Sequence, residues 1–331
     1  MLAAAIVGLG WWGGTVARLL ADSSNIRLTT AVTGSAAGRE TARALGLAVS
    51  ADYKDALDDP QIDAVILCTP HSLHFPQVLQ AAAAGKHVFC EKPLALSRAE
   101  AEAAIAACEA NRVVLGIGHE RRFEPAIVEI RRRVLASELG TLLQIEANFS
   151  HDKFLVLPAG NWRLSESEAP AGPLSATGIH LLDLAVSLLG PAERVVARVG
   201  RRGGELANGD TLALLVTFKN GANALLGALL STSFASRFAV YGSRGWAEAL
   251  DRAHPDRPQG SSLTICTRRG RPGVISYPAV SAVRANLEAF ADAALGRTRY
   301  PVPAGEMIAT VAAFEACLRS AASGREEAVA G

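Results

Sequence analysis

A glycine turn, Gly8-Leu9-Gly10-Trp11-Trp12-Gly13, lies between the unbroken apolar run Leu2–Val7 and an alanine-rich helical pattern at Thr15–Ala21. Strand, glycine turn and helix in that order leave few folds open. Glycines let the chain reverse within a few residues, and they allow backbone N–H groups to approach a ligand closely. The helix start adds unpaired N–H groups that favour an anion. The G-x-G-x-x-G spacing in this context predicts a βα unit of a doubly wound sheet, with a dinucleotide pyrophosphate held by Gly8, Gly10, Trp11, Trp12 and Gly13.

The pattern then repeats. Apolar runs at Leu28–Val32, Ala64–Cys68, His87–Cys90 and Val113–Ile117 alternate with helical patterns at Ala37–Leu45, Phe75–Ala84 and Arg98–Ala110. Apolar strands separated by helices predict a parallel sheet covered on both faces, binding its ligand at the carboxyl ends of the strands. Beyond residue 120 the pattern changes. A helix (Pro125–Leu135) leads into strand-like Leu142–Phe149, a Pro- and Gly-rich irregular stretch, and a helix near Gly178–Leu189. Strand-like segments follow without helices between them: Val195–Val199, Thr211–Phe218, Ala222–Leu230, Arg237–Tyr241 and Leu263–Thr267. That succession predicts a mostly antiparallel open sheet in a second, α+β domain. Two helical patterns, Val283–Ala294 and Glu306–Ser320, close the chain. The expected division is a dinucleotide-binding Rossmann domain at 1–120 and a substrate-binding and oligomerisation domain at 121–331.

Composition excludes several classes. With 50% hydrophobic and 20% charged residues among 331, the chain has ample core material for two domains and no mark of disorder. A net charge of +1 gives no electrostatic reason for a nucleic-acid or membrane partner. The basic run Arg131-Arg132-Arg133 falls in a helical pattern and reads as a solvated helix face. Five scattered cysteines form no C-x-x-C pair, which points to a reducing compartment without disulfides or a zinc site. Val7–Ala17 is uncharged, but no Lys or Arg precedes it, so it does not read as a signal peptide. The uncharged stretch Asn220–Ser236 is interrupted by polar residues and too short to span a membrane. The expectation is a soluble, cytoplasmic protein.

Chemistry concentrates at four further places. An NAD site usually carries an acidic residue about 20 residues past the glycines, at the end of the second strand, to hold the ribose hydroxyls. Here that end reads Thr33-Gly34-Ser35, with no carboxylate before Glu40. The vacancy suits a 2′-phosphate contacted by Gly34, Ser35 and Arg39, so NADP is favoured over NAD; Arg39 reads equally as a solvated helix residue. Thr69-Pro70-x-x-x-His74 reads as a loop bordering the cofactor or as a plain turn. His71 and His74 are three apart with no third ligand nearby, so no metal site is expected. Cys90-Glu91-Lys92-Pro93 puts a cation at the mouth of the dinucleotide fold, with Glu91 and Lys92 beside the cofactor. Gly178-x-His180-x-x-Asp183 puts a histidine and an acid on one helix face, a plausible proton-transfer pair.

The glycine turn, Thr-Pro-x-x-x-His, Glu-Lys-Pro and Gly-x-His-x-x-Asp, in this order and spacing, resemble the glucose–fructose oxidoreductase/inositol dehydrogenase/rhizopine-catabolism (Gfo/Idh/MocA) family. Arg122-Phe123-x-Pro125, Asn161-Trp162-Arg163 and the ending Pro301–Gly324 also fit, so the resemblance covers nearly the whole chain. It implies an NAD(P)-dependent dehydrogenase acting on a secondary alcohol or ketone of a sugar, cyclitol or related polyol. Lys92 would be the active-site lysine and His180 the proton-transferring residue, with Asp183 orienting His180 or binding a hydroxyl. Asn161, Trp162 and Arg163 would contact substrate alongside Lys92 and His180, and the protein would be a homodimer or homotetramer. One departure stands out: many members carry Asp four residues before this histidine, and here the position is Ala176. That departs from the usual Lys/Asp/His triad and from an inositol-type substrate, and it leaves room for a non-catalytic NAD(P)H-binding regulator; the family resemblance also admits an NAD-dependent glycoside hydrolase and redox enzymes of non-sugar substrates.

Overall fold

The computed structural model describes residues 1–330, and the elements counted below are among those residues. The chain divides into two compact units, Met1–Glu120 with Ser281–Met307, and Arg121–Val280 with Ile308 onward.

In the first unit, six strands form one sheet: β1 (Leu2–Val7), β2 (Ile26–Val32), β3 (Ala48–Ser50), β4 (Ala64–Leu67), β5 (His87–Cys90) and β6 (Leu115–Ile117). They alternate with α1 (Trp11–Leu20), α2 (Ala36–Ala44), α3 (Tyr53–Asp58), α4 (His71–Ala83) and α5 (Arg98–Ala110). The order is β3-β2-β1-β4-β5-β6, and every pairing is parallel. This is the Rossmann order, with its reversal point between β1 and β4, in the doubly wound parallel sheet that the sequence predicts. All six residues of β1 and all four of β4 are buried, as a sheet covered on both faces requires. Strand β3 and helix α3 were not legible in the sequence. Three and six residues are too short to establish a period.

The second unit opens with α6 (Pro125–Leu135) and β7 (Leu142–Ser150) and continues to α7 (Ile179–Leu189). Seven consecutive strands follow: β8 (Ala192–Gly200), β9 (Thr211–Phe218), β10 (Asn223–Leu229), β11 (Ala235–Gly242), β12 (Gly245–Asp251), β13 (Ser261–Thr267) and β14 (Gly273–Tyr277). With the short β15 (Glu327–Ala328) they form a nine-stranded sheet in the order β14-β13-β12-β11-β7-β10-β9-β8-β15. Only β7 and β10 pair in parallel, so the sheet is mostly antiparallel, as predicted. Alternate residues of β9 and β10 are buried and outward-facing, the mark of a sheet packed on one side. Arg132 and Arg133 pair with Glu129 and Glu138 on the surface of α6, whereas Arg131, the first of the basic run, is half-buried and donates to the Ser187 carbonyl at 3.3 Å.

Helix α8 (Ala282–Ala294) belongs to the first unit, far along the chain from the other elements there. Phe290 packs edge-on against Phe89 of β5 with ring centroids 5.6 Å apart, and both rings press on Gly116, where a Cβ would lie 2.8 Å from each. Asn286 donates to the Ile117 carbonyl at 2.8 Å, and Tyr300 bonds Asn286 at 2.6 Å, which anchors the helix polar side too. The last helix, α9 (Ala304–Ser323), runs from the first unit into the second. Among the described residues no helix is long and apolar enough to cross a membrane.

Candidate active site

The glycine turn follows β1 directly and caps α1 through Gly10. Its three glycines have separable reasons. Gly8 sits at φ +89, and a Cβ there would meet the Cys68 carbonyl oxygen at 2.7 Å. A Cβ on Gly13 would lie 1.9 Å from the Gly8 oxygen, so the helix could not pack onto the turn. A Cβ on Gly10 would meet no protein atom within 4 Å. The first and third glycines are thus demanded by the protein's own packing, whereas the second faces open space at a helix N-terminus. That is the arrangement a pyrophosphate needs, and it fits a dinucleotide. Trp11 is exposed, while Trp12 turns inward and packs on the core of the unit.

At the end of β2, Thr33 is buried and Gly34 is open on its Cβ side. Ser35 caps α2 by accepting from the Gly38 N–H at 3.0 Å. Arg39 reaches back across the same turn, its Nη1 donating to the Gly34 carbonyl at 2.7 Å. The three residues expected near the ribose therefore lie together on one turn that holds no carboxylate.

The Thr69-Pro70 segment ends β4, and Thr69 donates to Gln77 at 2.6 Å. His74 lies one turn into α4 and is 0% exposed, with Nδ1 2.6 Å from the Pro93 carbonyl and Nε2 3.0 Å from that of Thr69. Lys92 follows β5, and its backbone N–H donates to the buried Glu91 carboxylate at 3.3 Å. That carboxylate fills the space where a Cβ on Gly118 would stand, 2.4 Å away. The Lys92–Pro93 peptide is cis.

In the second unit, α7 is preceded without interruption by a π-helical turn, Leu174–Gly178. The helix expected near Gly178 thus begins a turn earlier, and π-turns inside helices are frequent at functional sites. Gly178 packs closely on β9, where a Cβ would meet the end of the Leu212 side chain at 2.7 Å. His180 is buried and lies 6.0 Å, centroid to centroid, from Phe149 at the end of β7. Phe149 also packs against His151 and His254, and the Arg121 guanidinium stands 4.6 Å from its centroid. Asp183 is 1% exposed and chelated by Arg122, Nε to Oδ2 at 2.7 Å and Nη2 to Oδ1 at 2.6 Å, with Thr310 donating at 3.3 Å.

Charge is unevenly held around Phe149. Arg121, itself buried, reaches Glu124, Asp251 and Ser236. Burial pushes the Glu124 carboxyl up to about 8, with Asp251 adding to the rise and Arg121 opposing it. Burial likewise lowers His254, against the raising effect of Asp256 at 2.9 Å. Asp256 goes the other way: burial would raise it, but bonds from His254 and Lys153 hold it far below the carboxylate range.

Ala176, at the usual Asp position of the resemblance, packs on a small apolar cluster of Phe154, Leu206 and Leu230. Asn161, Trp162 and Arg163 form one 3₁₀ turn. Asn161 caps it by accepting from the Arg163 N–H at 3.1 Å, and the Arg163 guanidinium lies 4.2 Å above the Trp162 ring. Asn208 pins this turn by donating to the carbonyls of Arg163 and Ala169, each at 2.8 Å. Sequence reading did not single out Phe149, Asn208 or Thr310. They lie on distant stretches and belong to no local motif. Arg122 and Asp183 were each visible as part of a motif, but their pairing was not.

The family model described as an oxidoreductase family with an NAD-binding Rossmann fold matches residues 2–119, and that of the GFO/IDH/MocA C-terminal domain matches 127–248. The chain is 30% identical over 252 residues to 1,5-anhydro-D-fructose reductase of Ensifer adhaerens, covering 74% of this chain and 73% of that protein. It is 32% identical over 216 residues to the uncharacterized oxidoreductase YrbE of Bacillus subtilis (strain 168), covering 62% of this chain and only 60% of that relative's length. Among solved structures, the aldose-aldose oxidoreductase of Caulobacter crescentus superimposes with a TM-score of 0.86 at 27% identity, over 99% of both chains. With both family models matched in order, and the glycine cradle and parallel sheet in place, the chain belongs to the Gfo/Idh/MocA family of oxidoreductases with an NAD-binding Rossmann fold.

Proposed function

We propose that this protein is an NAD(P)-dependent dehydrogenase that interconverts a secondary alcohol and a ketone on a sugar, cyclitol or related polyol. The observation that carries the reading is the glycine cradle, open only at Gly10, on the same parallel sheet that places Lys92 after β5. When bound, the nicotinamide supplies the two-electron acceptor or donor, a capacity no side chain has. Gly8, Gly10, Trp11 and Gly13 hold the pyrophosphate side, and Thr69, Pro70 and Glu91 border the cofactor. In the direction of oxidation His180 takes the hydroxyl proton. Lys92 donates a hydrogen bond to the same oxygen and stabilises the negative charge that develops there. Asp183, chelated by Arg122, fixes the helix face that carries His180. Trp162 and Arg163 contact substrate from the turn capped by Asn161.

The cofactor we assign is NADP. The Gly34–Ser35 turn offers Arg39 and no carboxylate, so it has a cation for a 2′-phosphate and lacks the acidic residue that usually holds the ribose hydroxyls. The apolar surroundings of Ala176 favour a substrate that lacks a hydroxyl at that point, which gives weight to a second reading, a diol or ketone outside the sugars. The second sheet supports a homodimer or homotetramer. Its outward-facing row Val196–Leu215–Leu225 is set side by side by the strand register, and Leu215 and Leu225 are 40% and 46% exposed.

The test is a turnover panel of sugars, cyclitols, sugar acids and aromatic-derived diols, with NADP⁺ and NAD⁺ in parallel. Reduction of NADP⁺ by one polyol class supports the reading. Hydrolysis of a glycoside without net nicotinamide turnover would replace it with the hydrolase alternative.

A further inference from the structure

We propose that His74 acts as a doubly protonated clamp that positions Lys92 against the cofactor turn. The inference rests on the reading of Lys92 given above, and goes beyond it by giving His74 a charge state and a task. Both ring nitrogens of His74 face backbone carbonyls, Nδ1 that of Pro93 at 2.6 Å and Nε2 that of Thr69 at 3.0 Å. A carbonyl oxygen can only accept. A neutral imidazole has one N–H and one lone pair, so one of the two contacts would set lone pair against lone pair; only the imidazolium donates to both. The ring is fully buried, where a donor lost to neutralisation is not replaced by water. Short, charge-assisted bonds offset the cost of burying that cation.

The placement explains what the clamp does. Glu91 is fixed from the sheet side by its N–H bond to the Leu67 carbonyl at 2.9 Å, and Pro93 is fixed by His74. Lys92 is the single residue between these two anchors. The other carbonyl on the ring belongs to Thr69, whose methyl lies 3.2 Å from the Cβ position of Gly8. One imidazolium thus joins the segment bearing the lysine to the segment bordering the glycine turn. His71 on the same helix lies at 5.7 Å between centroids; Cys68, Cys90, Glu91 and Lys92 flank the two bonded segments in sequence, and Tyr53 donates to Gln77 farther along the helix.

The experiment is ¹⁵N spectroscopy of histidine-labelled full-length protein, with His74 assigned by its absence in His74→Gln. At about pH 8, above the ordinary imidazole value of about 6.5, both His74 ring nitrogens are expected to carry protons. One nitrogen with a free lone pair overturns the proposal. Steady-state kinetics of His74→Gln and His74→Leu form the second arm. The expected result is a kcat about 10²-fold lower, the cost of a misplaced reacting group, with a much smaller rise in cofactor Kd. Equal losses in Kd and kcat would mean a general structural role and also overturn it. If neither variant folds, the His74 ring is assigned in the wild-type chain by through-bond correlation to its own backbone, and the ring-nitrogen measurement still decides. Full activity of Lys92→Ala would instead overturn the proposed function, an outcome distinct from either result at His74.

Discussion

Arg122 holds Asp183 by both carboxylate oxygens, at 2.7 and 2.6 Å, with both side chains almost wholly out of solvent. The planar guanidinium matches the carboxylate fork, and such a pair fixes direction as well as distance. Asp183 stands one helical turn from His180, so the pair sets the orientation of the helix face that carries the histidine.

Removing one partner leaves a buried charge alone, which typically costs about 3–5 kcal/mol. Asp183→Asn and Arg122→Ala are expected to lower the denaturant midpoint by that order. Arg122→Lys is expected to recover little, because an ammonium cannot form the two parallel bonds. Urea titrations of the three variants check this, and a fully restored midpoint in Arg122→Lys would show that charge alone suffices.

The glycines of the turn should separate stability from binding. Gly13→Ala drives a methyl into the Gly8 oxygen and is expected to destabilise the fold by about 1–3 kcal/mol. Gly10→Ala meets no protein atom, so its melting temperature should stay near wild type while the cofactor Kd rises. Thermal melts paired with cofactor titrations read both. A Gly10→Ala protein with unchanged cofactor affinity would contradict the placement of the pyrophosphate.

Glu124 gives a pH dependence with a definite sign. Its carboxyl is raised by burial from 4.5 to about 8, so between those values the folded chain holds a proton that the unfolded chain has released. The stability contributed by this group is full below the unfolded value and is lost as pH rises through the folded one. Chemical denaturation at intervals from about pH 5 to about pH 9 should show a decline in the wild type that Glu124→Gln removes. Parallel curves for the two proteins would contradict it.

The outward row of the second sheet predicts an assembly. Leu225→Glu places a charge directly beside Leu215 in the register, and it is expected to reduce the mass in size exclusion with light scattering without unfolding the chain. A wild-type monomer at micromolar concentration would remove the proposed oligomer.

The doubly wound half of the fold was legible because every signal in it is local: apolar runs of strand length, helical patterns between them, and a glycine turn whose spacing has a mechanism. The nine-stranded sheet was legible only as a run of strands. Its order inserts β7 between β10 and β11, a pairing across some 80 residues that no local pattern encodes. Strand β12, Gly-Trp-Ala-Glu-Ala-Leu-Asp, was missed because alanine and glutamate are weak strand formers, and its place between β11 and β13 supplies the pairing instead. At the site, the motifs named the right stretches but not the depth of each side chain. His74 and Asp183 read as ligand contacts on spacing alone. The carbonyl partners of His74 come from the Thr69 and Lys92 segments, and the guanidinium partner of Asp183 comes from the turn that precedes α6; the pairings with Pro93 and Arg122 are long-range in sequence.

The most direct test of the central claim is initial-rate kinetics of wild type, Lys92→Ala and His180→Ala on a substrate found in the panel, with cofactor affinity measured on the same samples. Proton transfer and electrostatic help of this kind contribute about 10²–10⁴-fold. A kcat lower by that order is expected in each variant, with cofactor binding retained. Comparable turnover in all three proteins would contradict the assignment of Lys92 and His180 to the chemistry.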